Sequence, residues 1–296
     1  MSAVELEKIN QMLMANRADP NATVEESRRA TEAAGAAFPV PAGVVPGEGA
    51  VGGVPGLWLD APVASDQRVV LYMHGGAYVI GSARSFARLA AEVAIAAGVC
   101  CFSLDYRLAP EHPFPAAVDD AMAAYNGLLQ RGFQPAQVAF AGDSAGGGLT
   151  IATLLACRDH GLAMPACAVV LSPWLDLTLT GDSMQRCVDS DLVLTAPRLA
   201  ARAKLYLGST SNRHPLASPL FGDLTGLPPL LMHASSAELL CDDAVRFAAR
   251  AAAAGVRVTL DIWPGMPHDW HRFTPMLSEA REGVAAAGRF LAAQLA

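Results

Sequence analysis

From Arg68 onward the chain alternates short, almost uninterrupted apolar runs with longer segments of helical character. Arg68–Met73, Val99–Asp105, Val138–Asp143, Cys167–Leu171, Leu230–Ala234 and Val256–Trp263 predict strands. Between and after them, Phe86–Ala97, Pro115–Gln130, Ala145–His160, Asp242–Ala254 and Thr274–Leu295 predict helices, with Gly98 and Gly132 closing the first two. Strands with so little polar alternation, each followed by a helix, predict a mainly parallel sheet covered on both faces. Two regions break the rhythm. In residues 1–45, Val4, Leu6, Ile9, Met12 and Leu13 form an imperfect helical stripe, Asp19-Pro20 interrupts it, and Val24–Ala37 resumes it. The segment Asp176–Pro228 shows helical character only near Pro197–Leu207, and is far longer than the roughly 15 residues a structureless loop usually reaches. Such a segment is either functional or a small inserted subdomain.

Composition narrows the possibilities. The 296 residues are 52% hydrophobic and 17% charged, with a net charge of −7. That excludes a disordered chain, and an acidic balance without a Lys/Arg cluster argues against nucleic acid or an anionic membrane surface as partner. The longest charge-free stretches, such as Gly161–Leu175, are interrupted by Pro165 and Pro173 and fall short of the roughly 20 residues a membrane span needs. Glu5 and Glu7 stand where a signal peptide would be basic, so a cytoplasmic location is expected. The six cysteines lack C-x-x-C spacing and sit mostly in apolar runs, as buried thiols do; no metal site is expected of them. Gly47, Gly49 and Gly52 fit G-x-G-x-x-G, but Pro-rich sequence precedes them and no helix follows, so no dinucleotide site is expected there.

The chemistry concentrates in Gly142-Asp143-Ser144-Ala145-Gly146, between a predicted strand and a predicted helix. G-x-S-x-G at that junction is a nucleophile elbow: a turn so tight that its flanking glycines leave no room for side chains, with the serine raised over a helix N-terminus. A glycine-rich turn holding an incidental serine would read the same over five residues. What separates the two readings is the partners that an elbow requires. His74-Gly75-Gly76-Ala77 directly follows the strand Arg68–Met73, and a glycine pair there offers amides to a developing oxyanion. The oxyanion hole is therefore assigned to the amides of Gly75, Gly76 and Ala145, with His74 orienting its loop.

These motifs, together with Asp105-Tyr106-Arg107-Leu108-Ala109-Pro110-Glu111-His112-Pro113-Phe114-Pro115-Ala116, resemble the bacterial hormone-sensitive-lipase-like (family IV) esterases, in their GDSAG branch. The resemblance extends from about residue 55 to the C-terminus; Ala77 departs from the usual fourth glycine. It implies an α/β-hydrolase fold with a mainly parallel eight-stranded sheet and a small helical cap, and cofactor-free hydrolysis of short- to medium-chain esters. Residues 1–45 would be N-terminal cap helices, 46–180 and 216–296 the catalytic core, and 181–215 the cap insertion. Relatives often dimerise through the last strand, and Val256–Ile262 is apolar enough to permit a homodimer.

Chain order in this fold is serine, acid, histidine. Of the histidines that follow the nucleophile's helix, His268 lies in the loop after the last strand, where the family places its base; His271 is the alternative, while His233 falls in a strand run and His214 in the insertion. For the acid, Glu238, Asp242 and Asp243 all follow Leu230–Ala234. The family's D-P-L-x-D pattern, aligned on Leu240 and Asp242, puts Glu238 in the catalytic position. Asp242 and Asp243 are explained as carboxylates opening a helix. Candidate pocket walls are Tyr78, Trp174, Leu175, Leu192, Leu207 and Met266, each equally well explained as core. Two rival readings stay open: a catalytically inactive small-ligand-binding homologue, and a hydrolase of amides or long-chain lipids.

Overall fold

The apolar runs become the centre of a single sheet. The structure, a computed structural model, describes residues 2–17, 19, 21–60 and 64–295. Its strands are β1 (Gly47–Val51), β2 (Val54–Trp58), β3 (Ser65–Met73), β4 (Val99–Leu104), β5 (Val138–Asp143), β6 (Cys167–Leu171), β7 (Leu230–Ser235) and β8 (Val258–Trp263). Their order across the sheet is β1-β2-β4-β3-β5-β6-β7-β8, antiparallel at β1/β2 and β2/β4 and parallel elsewhere. Every residue of β4, β5, β6 and β7 is buried, which is why these strands read as continuous apolar runs.

Alternate residues feed two cores. Val69, Leu71 and Met73 of β3 point to one face and Val70 and Tyr72 to the other. The first face is covered by α4 (Ala116–Gln130), α5 (Ala145–Asp159) and α8 (Cys241–Ala253); the second by α3 (Ala87–Ala97) and α9 (Ser278–Gln294). α3 and α9 approach so closely that a Cβ on Gly288 would lie 2.3 Å from the Ala96 Cβ. The remaining helices are α1 (Ala3–Ala15), α2 (Val24–Ala36), α6 (Ser183–Arg186) and α7 (Ala196–Leu207). Ile9 of α1 is buried against Met266, Trp270 and Leu277, and Glu5 accepts hydrogen bonds from the Ser278 amide and hydroxyl, both at 2.7 Å. α1 is thus fastened to the loop that carries His268. Among the described residues no helix is long and apolar enough to cross a membrane.

Two strands escape the hydrophobic pattern. The Pro/Gly-rich stretch before the sheet contains the β1–β2 hairpin, turning at Gly52-Gly53 with φ of +60° and +81°. Gly47 and Gly49 lie in β1, and a Cβ on Gly49 would come within 3.1 Å of the Trp58 indole. The glycine pattern of residues 47–52 therefore serves a hairpin. The last predicted helix also starts later than its pattern, at Ser278, after a 3-10 turn over Trp270–Phe273.

Strand order reverses at β3: the chain proceeds from there to β4 on one side and to β5–β8 on the other. Clefts in such sheets open at the carboxyl ends of the strands flanking this switch. Met73 pairs with Gly142, so the loops that follow β3 and β5 begin side by side.

Candidate active site

The turn from β5 into α5 holds Ser144 at φ 51°, ψ −119°, a conformation that L residues rarely adopt and that a rigid surround must impose. A Cβ on Gly142 would lie 2.4 Å from the Gly146 carbonyl oxygen, and one on Gly146 2.0 Å from that of Met73. Hydrogen bonds fix the turn from both sides: the Ser144 amide donates to the Leu171 carbonyl (2.8 Å) and the Trp174 amide to the Ser144 carbonyl (2.9 Å). Ala145 is the first residue of α5, so its amide has no intrahelical partner.

His268 stands in the loop between β8 and the 3-10 turn. Its Nε2 is 2.9 Å from Ser144 Oγ, and its Nδ1 is 2.6 Å from Glu238 Oε2. With Nδ1–H donating to the carboxylate, Nε2 is left to accept the serine proton. Glu238 Oε1 accepts the Ser235 amide at 2.7 Å, and the Ser235 hydroxyl donates to the Met266 carbonyl at 2.6 Å, tying the acid's loop to the histidine's. Asp191, between α6 and α7, accepts the Leu239 amide at 2.8 Å.

The other candidates lie elsewhere. Asp243 is fully buried and accepts the amides of Leu175 and Asp176, each at 2.9 Å; burial and the neighbouring Asp176 push its carboxyl up to about 7. Asp242 accepts the Ser183 amide and pairs with Arg186. Both stand in the first turn of α8 but brace the segment after β6 instead of capping their own helix. His271 Nε2 faces His233 Nδ1 at 3.0 Å in a buried pair, and His214 packs against the Phe114 ring.

The glycine loop after β3 is equally constrained. Gly76 has φ +116°, and a Cβ there would meet the Ile80 carbonyl oxygen at 2.0 Å. Gly75 packs against Asp143, whose Oδ2 would be 2.2 Å from an added Cβ. His74 is stacked on Tyr106 and Phe86, with centroids 4.3 and 5.5 Å away, and its carbonyl accepts the Tyr106 hydroxyl at 2.8 Å. It anchors the loop from behind. The Tyr106–Glu111 run forms ion pairs that reach outward: Arg107 to Asp120 on α4, and Glu111 to Arg28 on α2.

One residue beside His268 belongs to none of the sequence motifs. Asp269 takes a left-handed conformation (φ 55°) and brings Oδ2 to 3.4 Å from His268 Nε2. Burial, with Asp143 nearby, pushes the Asp269 carboxyl far above its usual range. Burial alone would depress His268, but Asp269 and then Glu238 outweigh it and hold the imidazole up at about 10. The pair retains a proton to higher pH than a solvated imidazole would. The visible signal was only that Asp269 adjoins His268.

Ser144, His268 and Gly76 open onto a cavity of about 240 Å³, bounded above by residues of α1, α2 and the 192–202 segment. Of the six wall candidates only Leu192 lines it. Tyr78 instead stacks on Tyr206 at 3.8 Å, and Trp174 and Met266 are core.

An eight-stranded, mainly parallel sheet with a serine elbow after β5 and a histidine loop after β8 defines the α/β hydrolases. The α/β-hydrolase-fold family matches residues 70–272. The chain is 44% identical to an acetyl-hydrolase of Streptomyces hygroscopicus, over 98% of this chain and 97% of the relative. It is 36% identical to an ethyl acetate hydrolase of Pseudomonas putida, over 73% and 70% of the two chains. A crystal structure of an esterase from the bacterial hormone-sensitive lipase family superposes with a TM-score of 0.97 at 43% identity, over 100% of both chains. The chain belongs to the α/β-hydrolase family, in its hormone-sensitive-lipase-like esterase branch.

Proposed function

We propose that this carboxylic ester hydrolase cleaves short- to medium-chain acyl esters through an acyl-enzyme formed on Ser144. The observation that carries the reading is the buried chain Ser144–His268–Glu238, with contacts of 2.9 and 2.6 Å, opening onto a cavity. Ser144 Oγ gives its proton to His268 Nε2 and attacks the ester carbonyl. The amides of Gly75, Gly76 and Ala145 receive the oxyanion, and Glu238 stabilises the imidazolium. The alcohol leaves with the His268 proton, and a water molecule, deprotonated by the same imidazole, then releases the acid. A cavity of about 240 Å³ suits small acyl groups, and one relative is named for ethyl acetate.

Residues 1–45 and 181–215 act as a cap over a core of 46–180 and 216–296. In support, Arg28 of α2 donates to the carbonyls of Val79 and Ala109, and Arg202 of α7 donates to the Ser27 hydroxyl on α2. The enzyme acts in the cytoplasm, where a reducing medium suits six cysteines that are all buried, and it pairs with a second copy along the β8 edge.

The decisive experiment is a series of acyl esters from C2 to C16, read with burst kinetics on an activated ester. Activity should peak below C10 with a burst that Ser144→Ala abolishes. A peak at C12 or longer overturns the substrate range, and full turnover in Ser144→Ala overturns the mechanism.

A further inference from the structure

Four arginines reach the cavity that Ser144 opens onto: Arg17 beyond the end of α1, Arg198 and Arg202 one turn apart on α7, and Arg272 in the turn after His268. A partly buried guanidinium is costly unless an anion meets it. Nearby arginines outside the cavity do find carboxylates: Arg28 takes Glu111 at 2.7 Å and Arg107 takes Asp120 at 2.8 Å. Among the described residues, those in the cavity have no carboxylate within ion-pair distance. Arg202 donates to the neutral Ser27 hydroxyl, and Arg272 lies 4.3 Å over the Phe86 ring. Arg198 and Arg202 are half-buried on one face of α7, one turn apart, where their like charges repel. Burial holds both below the ordinary arginine range, and for Arg202 the charges of Arg198 and Arg28 add to the effect. Asp269 also lines the wall, against His268, and the nearby Arg272 charge draws its carboxyl down, so Arg198 and Arg202 are the half-buried cations of the cavity without such a neighbour among the described residues.

We propose that the cavity selects esters that carry a free carboxylate, held by Arg198 and Arg202 while Ser144 attacks the ester carbonyl. This arrangement explains why a wall that includes Leu13, Leu192 and Leu199 also carries two half-buried arginines, Arg198 and Arg202, with no carboxylate at ion-pair distance among the described residues. The inference rests on the esterase reading of Ser144 and names the substrate class of that same site.

The test uses two matched pairs of stable esters in the full-length protein. Ethyl butyrate against ethyl hydrogen succinate places the carboxylate on the acyl side; phenyl acetate against 4-acetoxybenzoate places it on the leaving alcohol. In one pair the ratio of kcat/KM, charged over neutral, should fall roughly tenfold in Arg198→Gln/Arg202→Gln and should fall with rising ionic strength in the wild type. Because Arg202 also links α7 to α2, Arg198→Gln alone is the second variant. It should shift the ratio in the same direction without lowering the melting temperature. Ratios unchanged in both pairs and both variants overturn the proposal, as does an equal loss on charged and neutral esters. Failure of the underlying reading looks different: neutral esters would then be hydrolysed as fast by Ser144→Ala as by the wild type.

Discussion

At the scale of single residues, position relative to one imidazole separates three carboxylates of similar chemistry. Glu238 sits 2.6 Å from His268 Nδ1, Asp269 sits 3.4 Å from Nε2, and Asp242 is tied to Ser183 and Arg186. Glu238→Gln should therefore lower kcat by about two to four orders of magnitude, since an amide supports neither the tautomer nor the imidazolium. Asp242→Asn should leave kcat within a few-fold. Steady-state kinetics on one ester checks both, and the opposite ranking would reassign the acid. The pH profile belongs to Asp269. As a base His268 works only unprotonated, so activity climbs as pH rises through the titration of the His268–Asp269 pair, which the carboxylates of Asp269 and Glu238 raise above that of a free imidazole. Asp269→Asn removes the carboxylate that shares the proton with His268, leaves the imidazole to titrate lower, and should move the rising limb of kcat/KM to lower pH. A limb that stays in place would show that Asp269 exerts no field on the base.

At the scale of elements, the strand–turn–helix of β5 and α5 leaves no spare volume. A methyl on Gly146 would overlap the backbone carbonyls of Met73 and His74, at 2.0 and 2.5 Å, neither of which can move without displacing β3. Gly146→Ala should cost about 1–3 kcal/mol of stability, as overpacking does, and should lower activity together with it. Thermal unfolding beside an activity assay reads both, and an unchanged melting temperature would mean that the turn can relax. This tightness is why the elbow was legible: a local steric demand writes glycine at fixed spacing from the serine. The β1–β2 hairpin was not legible for the opposite reason. Gly47, Gly49, Gly52 and Gly53 carry little β propensity, and the hairpin gains its stability from pairing with β4 and from contact with the Trp58 indole. α8 shows an intermediate case, for its extent was legible to within a residue while the reach of Asp242 and Asp243 to the segment after β6 was not.

At the scale of the whole molecule, the sheet ends in β8, whose residues are half-buried or exposed, with Ile262 among the exposed apolar side chains. An edge of that kind is open to strand pairing. Light scattering at micromolar protein should return twice the mass of one chain; a monomer at that concentration would exclude the β8 pairing.

What the sequence determined by itself was whatever is local or ordered along the chain. Apolar runs without alternation marked the buried parallel strands, the glycines of residues 142–146 marked the elbow, and the order serine, acid, histidine narrowed the base to His268 or His271 and the acid to three carboxylates. Tertiary structure alone decided which of these meet. The reversal at β3 brings the loops after β3 and β5 together, and the loops after β7 and β8 then deliver Glu238 and His268 to Ser144 while His271 turns inward to His233. It also decided that Arg198 and Arg202 face the cavity and that Asp269 faces the imidazole. The physical reason is range. Steric and hydrogen-bonding demands act over a few residues and leave a mark on the sequence, whereas electrostatic neighbourhood depends on distances between segments far apart along the chain, which exist only once the sheet is packed.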